Sequence, residues 1–109
     1  MKENYKNDND IRRYIVHIVC SEKVYKVFSH KSKITKRSIS KEFYDFIKNK
    51  FNDRSLYKAL KLNISDKGSS YSLQTYISIE EYNNLIRIAD MYKCPLNYAV
   101  KLVANYYFN

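Results

Sequence analysis

The stretch Tyr71-Ser72-Leu73-Gln74-Thr75-Tyr76-Ile77-Ser78-Ile79 decides the fold. Leu73, Thr75 and Ile77 alternate with Ser72, Gln74 and Tyr76, the period of a half-buried strand. Ser78 with Glu81 three residues on is a capping-box signature that opens a helix. Tyr82, Leu85, Ile86, Ala89 and Tyr92 follow at helical spacing. Lys93-Cys94-Pro95 ends that helix, because proline suits a first turn but not a helix interior. Ala99, Val100, Val103, Ala104, Tyr107 and Phe108 then form the apolar face of a last helix.

The same layout occurs earlier. Tyr14–Cys20 (Y-I-V-H-I-V-C) is short and rich in β-branched residues, so it reads as a strand. Ser21 is an N-cap for a helix over Glu22–Lys33, with Val24, Val27 and Phe28, then Ile34, on its apolar stripe. Ile34–Arg37 is a basic turn, and Ser38 caps a second helix with Phe43, Phe46, Ile47 and Phe51 on its inner face. Sliding residues 14–52 forward by 57 positions lays them on 71–109 with six identities, among them Tyr14/Tyr71, Ser21/Ser78 and Tyr25/Tyr82. The apolar pattern stays in register too, as in Val16/Leu73, Phe28/Leu85, Phe43/Val100 and Phe46/Val103. The chain thus divides into an N-terminal arm (1–13), a first strand-helix-helix repeat (14–52), a linker (53–70) and a second repeat (71–109). The linker holds Asp53 as a helix cap, then Leu56, Tyr57, Leu60 and Leu62, which read either as a short third helix or as an extension of the second. Ile64–Ser70 reads as a loop around the only glycine.

A repeat of this size cannot bury its apolar stripes alone, and its single strand leaves backbone groups unpaired. Two copies solve both problems if the strands pair antiparallel and four helices share one core. The expected fold is mainly α with a two-stranded antiparallel ribbon, closed within the chain as a pseudo-dimer.

Composition narrows the partners. In 109 residues, 45% are apolar and the net charge is +9. Residues 14–52 carry nine basic and three acidic side chains, whereas residues 71–109 carry three of each. A small basic chain points first to nucleic acid. No apolar run reaches the ~18 residues that span a bilayer. The polar start M-K-E-N-Y-K-N-D-N-D lacks the apolar core of a signal peptide, so a soluble, cytoplasmic protein is expected. Cys20 and Cys94 stand far apart and make no metal motif; Cys20 reads as a small core residue. His17 and His30 have no partner motif, and there is no phosphate-binding glycine loop. No enzyme activity, cofactor, metal or small-molecule substrate is expected.

These elements resemble the ribbon-helix-helix family of DNA-binding proteins. The matching residues are Leu73-Gln74-Thr75-Tyr76-Ile77, Ser78, Leu85/Ala89 and Ala99–Val103 in the second repeat. In the first they are Val16–Cys20, Ser21, Phe28, Ser38-Ile39-Ser40 and Phe43/Phe46/Ile47. The tandem arrangement and the Tyr-, Asn- and Lys-rich composition also look like those of transcription regulators from crenarchaeal filamentous viruses. The resemblance implies sequence-specific binding of double-stranded DNA, with the ribbon in the major groove, in transcription regulation as repressor or activator. Carried over by position, base readers would be Ile15, His17 and Val19 from the first strand and Ser72, Gln74 and Tyr76 from the second. Gln74 suits adenine. Ile15 and Val19 depart from the usual polar readers; either they meet thymine methyls or the first strand sits in the opposite register. Phosphates would be gripped at the second-helix N-termini by Lys36, Arg37, Ser38 and Ser40, and by Lys93 and Asn97, with help from Arg12 and Arg13. The second grip looks thinner, because Pro95 brings no N–H. Since one ribbon reads only a short site, self-association along DNA is expected, with Tyr57, Tyr98, Tyr106 and Tyr107 as surplus contact residues. Two rival arrangements stay open. One is an antitoxin-like module that holds a protein partner, against which the absence of an extended tail argues. The other is a dimer in which only residues 71–109 form the ribbon.

Overall fold

The computed structural model describes residues 11–62 and 70–109. The arm up to Asp10 and most of the Ile64–Ser70 loop lie outside the described residues. The elements run β1 (Arg12–Cys20), α1 (Glu22–Thr35), α2 (Ile39–Lys50), α3 (Asp53–Leu62), β2 (Tyr71–Ser78), α4 (Ile79–Met91) and α5 (Leu96–Phe108). None of these helices is long and apolar enough to cross a membrane.

The two strands pair antiparallel in a single sheet. Seven consecutive pairs run from Tyr14 opposite Ile77 to Cys20 opposite Tyr71, and the middle pair is His17 opposite Gln74. The inner face is Val16, Ile18 and Cys20 with Leu73, Thr75 and Ile77, all buried. That settles the register left open by the aliphatic first strand: Ile15 and Val19 point outward. β1 starts at Arg12, so Arg12 and Arg13 belong to the ribbon, beyond a register irregularity that separates Arg12 from Tyr14.

Helix entry and exit repeat along the chain. Ser21 and Ser78 are both extended N-caps, accepting from the N–H of Val24 at 3.3 Å and of Glu81 at 3.1 Å. At Ser78 the box is complete, for the Glu81 carboxylate accepts the Ser78 N–H at 2.9 Å. The backbone leaves each of these helices through a lysine in the left-handed region, Lys36 (φ 60°) and Lys93 (φ 56°). A side chain in that region costs about 1–2 kcal/mol, which the flanking helices override. Ser38 and Pro95 then take extended N-cap geometry before α2 and α5. Every one of these pairs is separated by 57 positions.

Packing ties the two halves of the chain together. α2 lies against β2, and α5 against β1. Tyr14 of β1 stacks on Tyr82 of α4 with centroids 4.8 Å apart, and Tyr71 of β2 meets Tyr25 of α1 at 5.0 Å. Phe28 of α1 stands edge-on to Phe43 and Phe46 of α2 and to Phe108 of α5. Beneath the ribbon Val24, Leu56, Val100 and Val103 are fully buried in the same core.

Two local expectations are revised, and that for Cys20 stands. α1 continues through Thr35, past the anticipated end at Lys33, and Ile34 is 68% exposed because it falls off the buried stripe. α3 is a separate helix capped by Asn52, not Asp53. Asn52 Oδ1 accepts the Ser55 N–H at 2.8 Å and the Asn52 N–H donates to Ser55 Oγ at 3.0 Å. Asp53 instead accepts from the Tyr92 hydroxyl, and α3 packs on α5 through Leu56 and Ala59. Cys20 is a core residue and no disulfide joins it to Cys94.

Candidate nucleic-acid interface

The outer face of the ribbon is a surface three residue pairs long. Ile15 lies opposite Tyr76, His17 opposite Gln74, and Val19 opposite Ser72. Tyr76 is 50% exposed and Ile15 44%; Val19, Ser72 and Gln74 are exposed, and His17 partly so. At about 3.3 Å per residue the three pairs extend roughly 13 Å, and a two-stranded ribbon fits a major groove about 12 Å wide. The face combines an amide, an imidazole, a phenol and a hydroxyl with two aliphatic side chains. It can therefore offer hydrogen bonds at its centre and apolar contact at its flanks.

Beside this face, between β2 and the N-terminus of α2, is a cleft of about 210 Å³. It is lined by Arg12, Ser38, Ser40, Lys41, Tyr44, Thr75 and Tyr76. The α2 dipole adds partial positive charge at its mouth. The Ser38 hydroxyl accepts the Lys41 N–H at 3.0 Å, which fixes the first turn and leaves the hydroxyl proton available to donate. Arg12, Ser38 and Ser40 are thus brought together, whereas Lys36 and Arg37 do not line the cleft. Lys41 and Tyr44 were missed. Lys41 carried a signal, since it lies one helical turn after the cap.

Arg12 is held in place by a short relay. Its guanidinium carbon lies 4.0 Å from the centroid of the Tyr44 ring, a cation–π contact. The Tyr44 hydroxyl donates to the Glu81 carboxylate, which also accepts the Ser78 N–H. Burial pushes Tyr44 above the usual phenol range, and its bond to Glu81 pushes the same way. Burial also pushes Glu81 up. The hydrogen bonds from Ser78 and Tyr44 and the nearby Arg12 charge outweigh it and leave the carboxyl below its ordinary value. Glu81 therefore stays ionised and Tyr44 protonated at neutral pH, which is the arrangement the relay requires.

The remaining basic residues are distributed otherwise. Arg37, in the turn before α2, folds onto that helix and pairs at the surface with Asp45 at 2.5 Å and Glu42 at 3.6 Å. Lys36 and Lys93 are exposed at the left-handed turns, and Arg13 is exposed on the ribbon. On the β1 side of the ribbon, Asn97 Oδ1 accepts the N–H of His17, its middle residue, at 3.3 Å, linking the α5 N-terminus to the edge of β1. Pro95 occupies the N-cap, ahead of the helical positions, and makes no side-chain cap bond. The N–H groups of Leu96, Asn97 and Tyr98 therefore have no capping hydroxyl, in contrast to α2. Pro95 at the N-cap brings no N–H, so one of the four orphan donors of a helix start is missing from α5.

Of the surplus tyrosines, Tyr57, Tyr98 and Tyr107 are exposed, whereas Tyr106 packs partly buried against the core. Among the described residues no three His, Cys, Asp or Glu side chains gather closely enough to hold a metal ion. No family model, curated protein or solved structure matches the chain.

Proposed function

We propose that the chain is a tandem ribbon-helix-helix protein that binds specific double-stranded DNA sites and regulates transcription. The observation that carries this reading is the repetition of backbone geometry at 57-residue separation around a ribbon centred on His17 and Gln74. Those two residues are themselves equivalent under the shift. The same shift exchanges the Tyr14–Tyr82 pair with Tyr71–Tyr25, as a pseudo-twofold axis through the ribbon requires. A ribbon whose outer face is exposed and mostly uncharged, flanked by a cleft rich in donors, fits base readout in a groove with phosphate contacts beside it. The net charge of +9 supplies the general attraction.

On this reading Gln74 and Tyr76 contact bases, and Arg12, Ser38, Ser40 and Lys41 hold the phosphate next to them. The test is footprinting on the DNA upstream of the protein's own gene, with wild type and the Gln74→Ala/Tyr76→Ala double variant. The double variant is expected to retain salt-sensitive binding and lose its protected site. An unchanged site preference would overturn the ribbon-readout reading.

A further inference from the structure

We infer that the DNA site has no twofold symmetry and that the chain engages it in one orientation, its stronger half at the end of the ribbon where Tyr76 and Arg12 lie. This rests on the DNA-binding reading and adds the form of the target.

A homodimeric ribbon presents the same side chains on both sides of its axis. This ribbon does not. Under the 57-residue shift, the Ile15–Tyr76 pair exchanges with Ser72–Val19. One flank therefore shows a phenol and a large aliphatic group, and the other a small hydroxyl and valine. Tyr76 can donate, accept or pack on a thymine methyl; Val19 can only pack. The central pair is also unlike, imidazole against amide.

The flanking grips differ more. At the α5 end, Ser38, Ser40 and Lys41 are replaced by Pro95, Asn97 and Tyr98. The cleft cation is exchanged for a phenol that is 53% exposed, and Asn97 is turned to the His17 N–H. The relay that holds Arg12 is built only once, for the positions matching Tyr44 and Glu81 are Lys101 and Val24. Rotating the chain by half a turn on a bound site would place a different chemical group at each base step and move the cationic cleft to the other side. One misread position costs about 5- to 150-fold in affinity, so with both flanking pairs misread the two orientations should differ by at least ~25-fold.

The experiment is selection from a random duplex library with the full chain, followed by cleavage from an iron chelate tethered to Cys94. That thiol lies beside Lys93 at the α5 end of the ribbon, and the buried Cys20 does not compete for the label. The expected motif lacks inverted symmetry and has one more informative half. Cuts should then flank the less informative half, and change sides when the motif is inverted in its flanks. Ser40→Ala/Lys41→Ala should weaken binding about tenfold and erase phosphate interference at the informative end alone. Asn97→Ala should act at the centre and the less informative end, and leave the informative end unchanged. A palindromic motif with equal halves, or equal cutting on both sides, would overturn the inference while leaving DNA binding intact. No enriched motif would overturn the DNA-binding reading itself.

Discussion

Replacing Phe28 by alanine tests whether the two halves of the chain share one core. Phe28 is fully buried on α1, 5.7 Å from Phe43, 5.5 Å from Phe46 and 5.5 Å from Phe108, edge-on to all three. Truncating a buried phenylalanine costs about 3–5 kcal/mol through lost transfer energy and the cavity left behind. Three edge-on partners on two different helices cannot all relax inward, so the loss should be near the top of that range, about 4–5 kcal/mol. For 109 residues the unfolding entropy near the midpoint is about 0.23 kcal/mol per degree. The midpoint should therefore fall by roughly 17–22 °C. Because Phe108 lies at the end of the last helix, helix loss by far-ultraviolet dichroism and tyrosine fluorescence should report the same single transition. Ile34→Ala, at an exposed site on the same helix, should move the midpoint by no more than about 2 °C. Two separate transitions, or a fall of under about 5 °C for Phe28→Ala, would refute a core shared between the halves.

Tyr44→Phe keeps the ring under Arg12 and removes the hydroxyl bond to Glu81. A loss of about 1.5 kcal/mol is expected, at the low end for a bond to a charged group because Glu81 is partly exposed. The folded-state value of Glu81 is depressed, so its stabilisation is complete above the ordinary carboxyl range and drains as pH falls through the folded value. Urea midpoints of wild type should fall on acidification more steeply than those of Tyr44→Phe; parallel curves would contradict the relay. Ser78→Ala removes a reciprocal capping box and should cost about 1–2 kcal/mol, more than Ser21→Ala, which breaks a longer cap bond and a 3.5 Å bond to Asn109 Oδ1. The reverse order in urea denaturation would refute that ranking. Lys36→Gly and Lys93→Gly relieve a left-handed backbone and should each stabilise the fold by up to about 1 kcal/mol, readable as a higher urea midpoint. A lower midpoint in both would show that the lysine side chains stabilise these turns.

Helix and strand positions were legible wherever a local rule acts alone. Ser21, Ser38 and Ser78 cap helices because a hydroxyl in that place accepts an orphan N–H, whatever the tertiary context. The first strand was harder, since Ile15, Val16, Ile18 and Val19 are apolar on both faces and alternation alone selects neither. Its facing is decided by pairing with a second strand whose alternation is unambiguous. The antiparallel pairing of the two strands was legible, but particular side-chain contacts across the halves were not. Nothing in the spacing of Arg12, Tyr44 and Glu81 indicates that they meet, because they come from β1, α2 and α4. The ion pairs of Arg37 were hidden for a related reason: in a basic run it reads as one cation among several, and only the chain reversal at Lys36 lays it on Asp45.

The uneven charge between the repeats acquires a different meaning once the chain is folded. By composition the first repeat holds the cations and the second the neutral reading groups, which invites a division of labour by repeat. The crossing of α2 onto β2 undoes it. Ser38, Ser40 and Lys41 of the first repeat line the same cleft as Thr75 and Tyr76 of the second, while Asn97 of the second reaches His17 of the first. Each end of the ribbon is thus a composite, built from one repeat's strand and the other's helix. Differences accumulated between repeats are therefore expressed as differences between ends. An identical pair of subunits could not do this, since any change would appear at both ends together. On the proposed function, two copies joined in one chain escape that constraint. On the proposed function, a basic first repeat beside a neutral second is what gives the ribbon a direction along DNA.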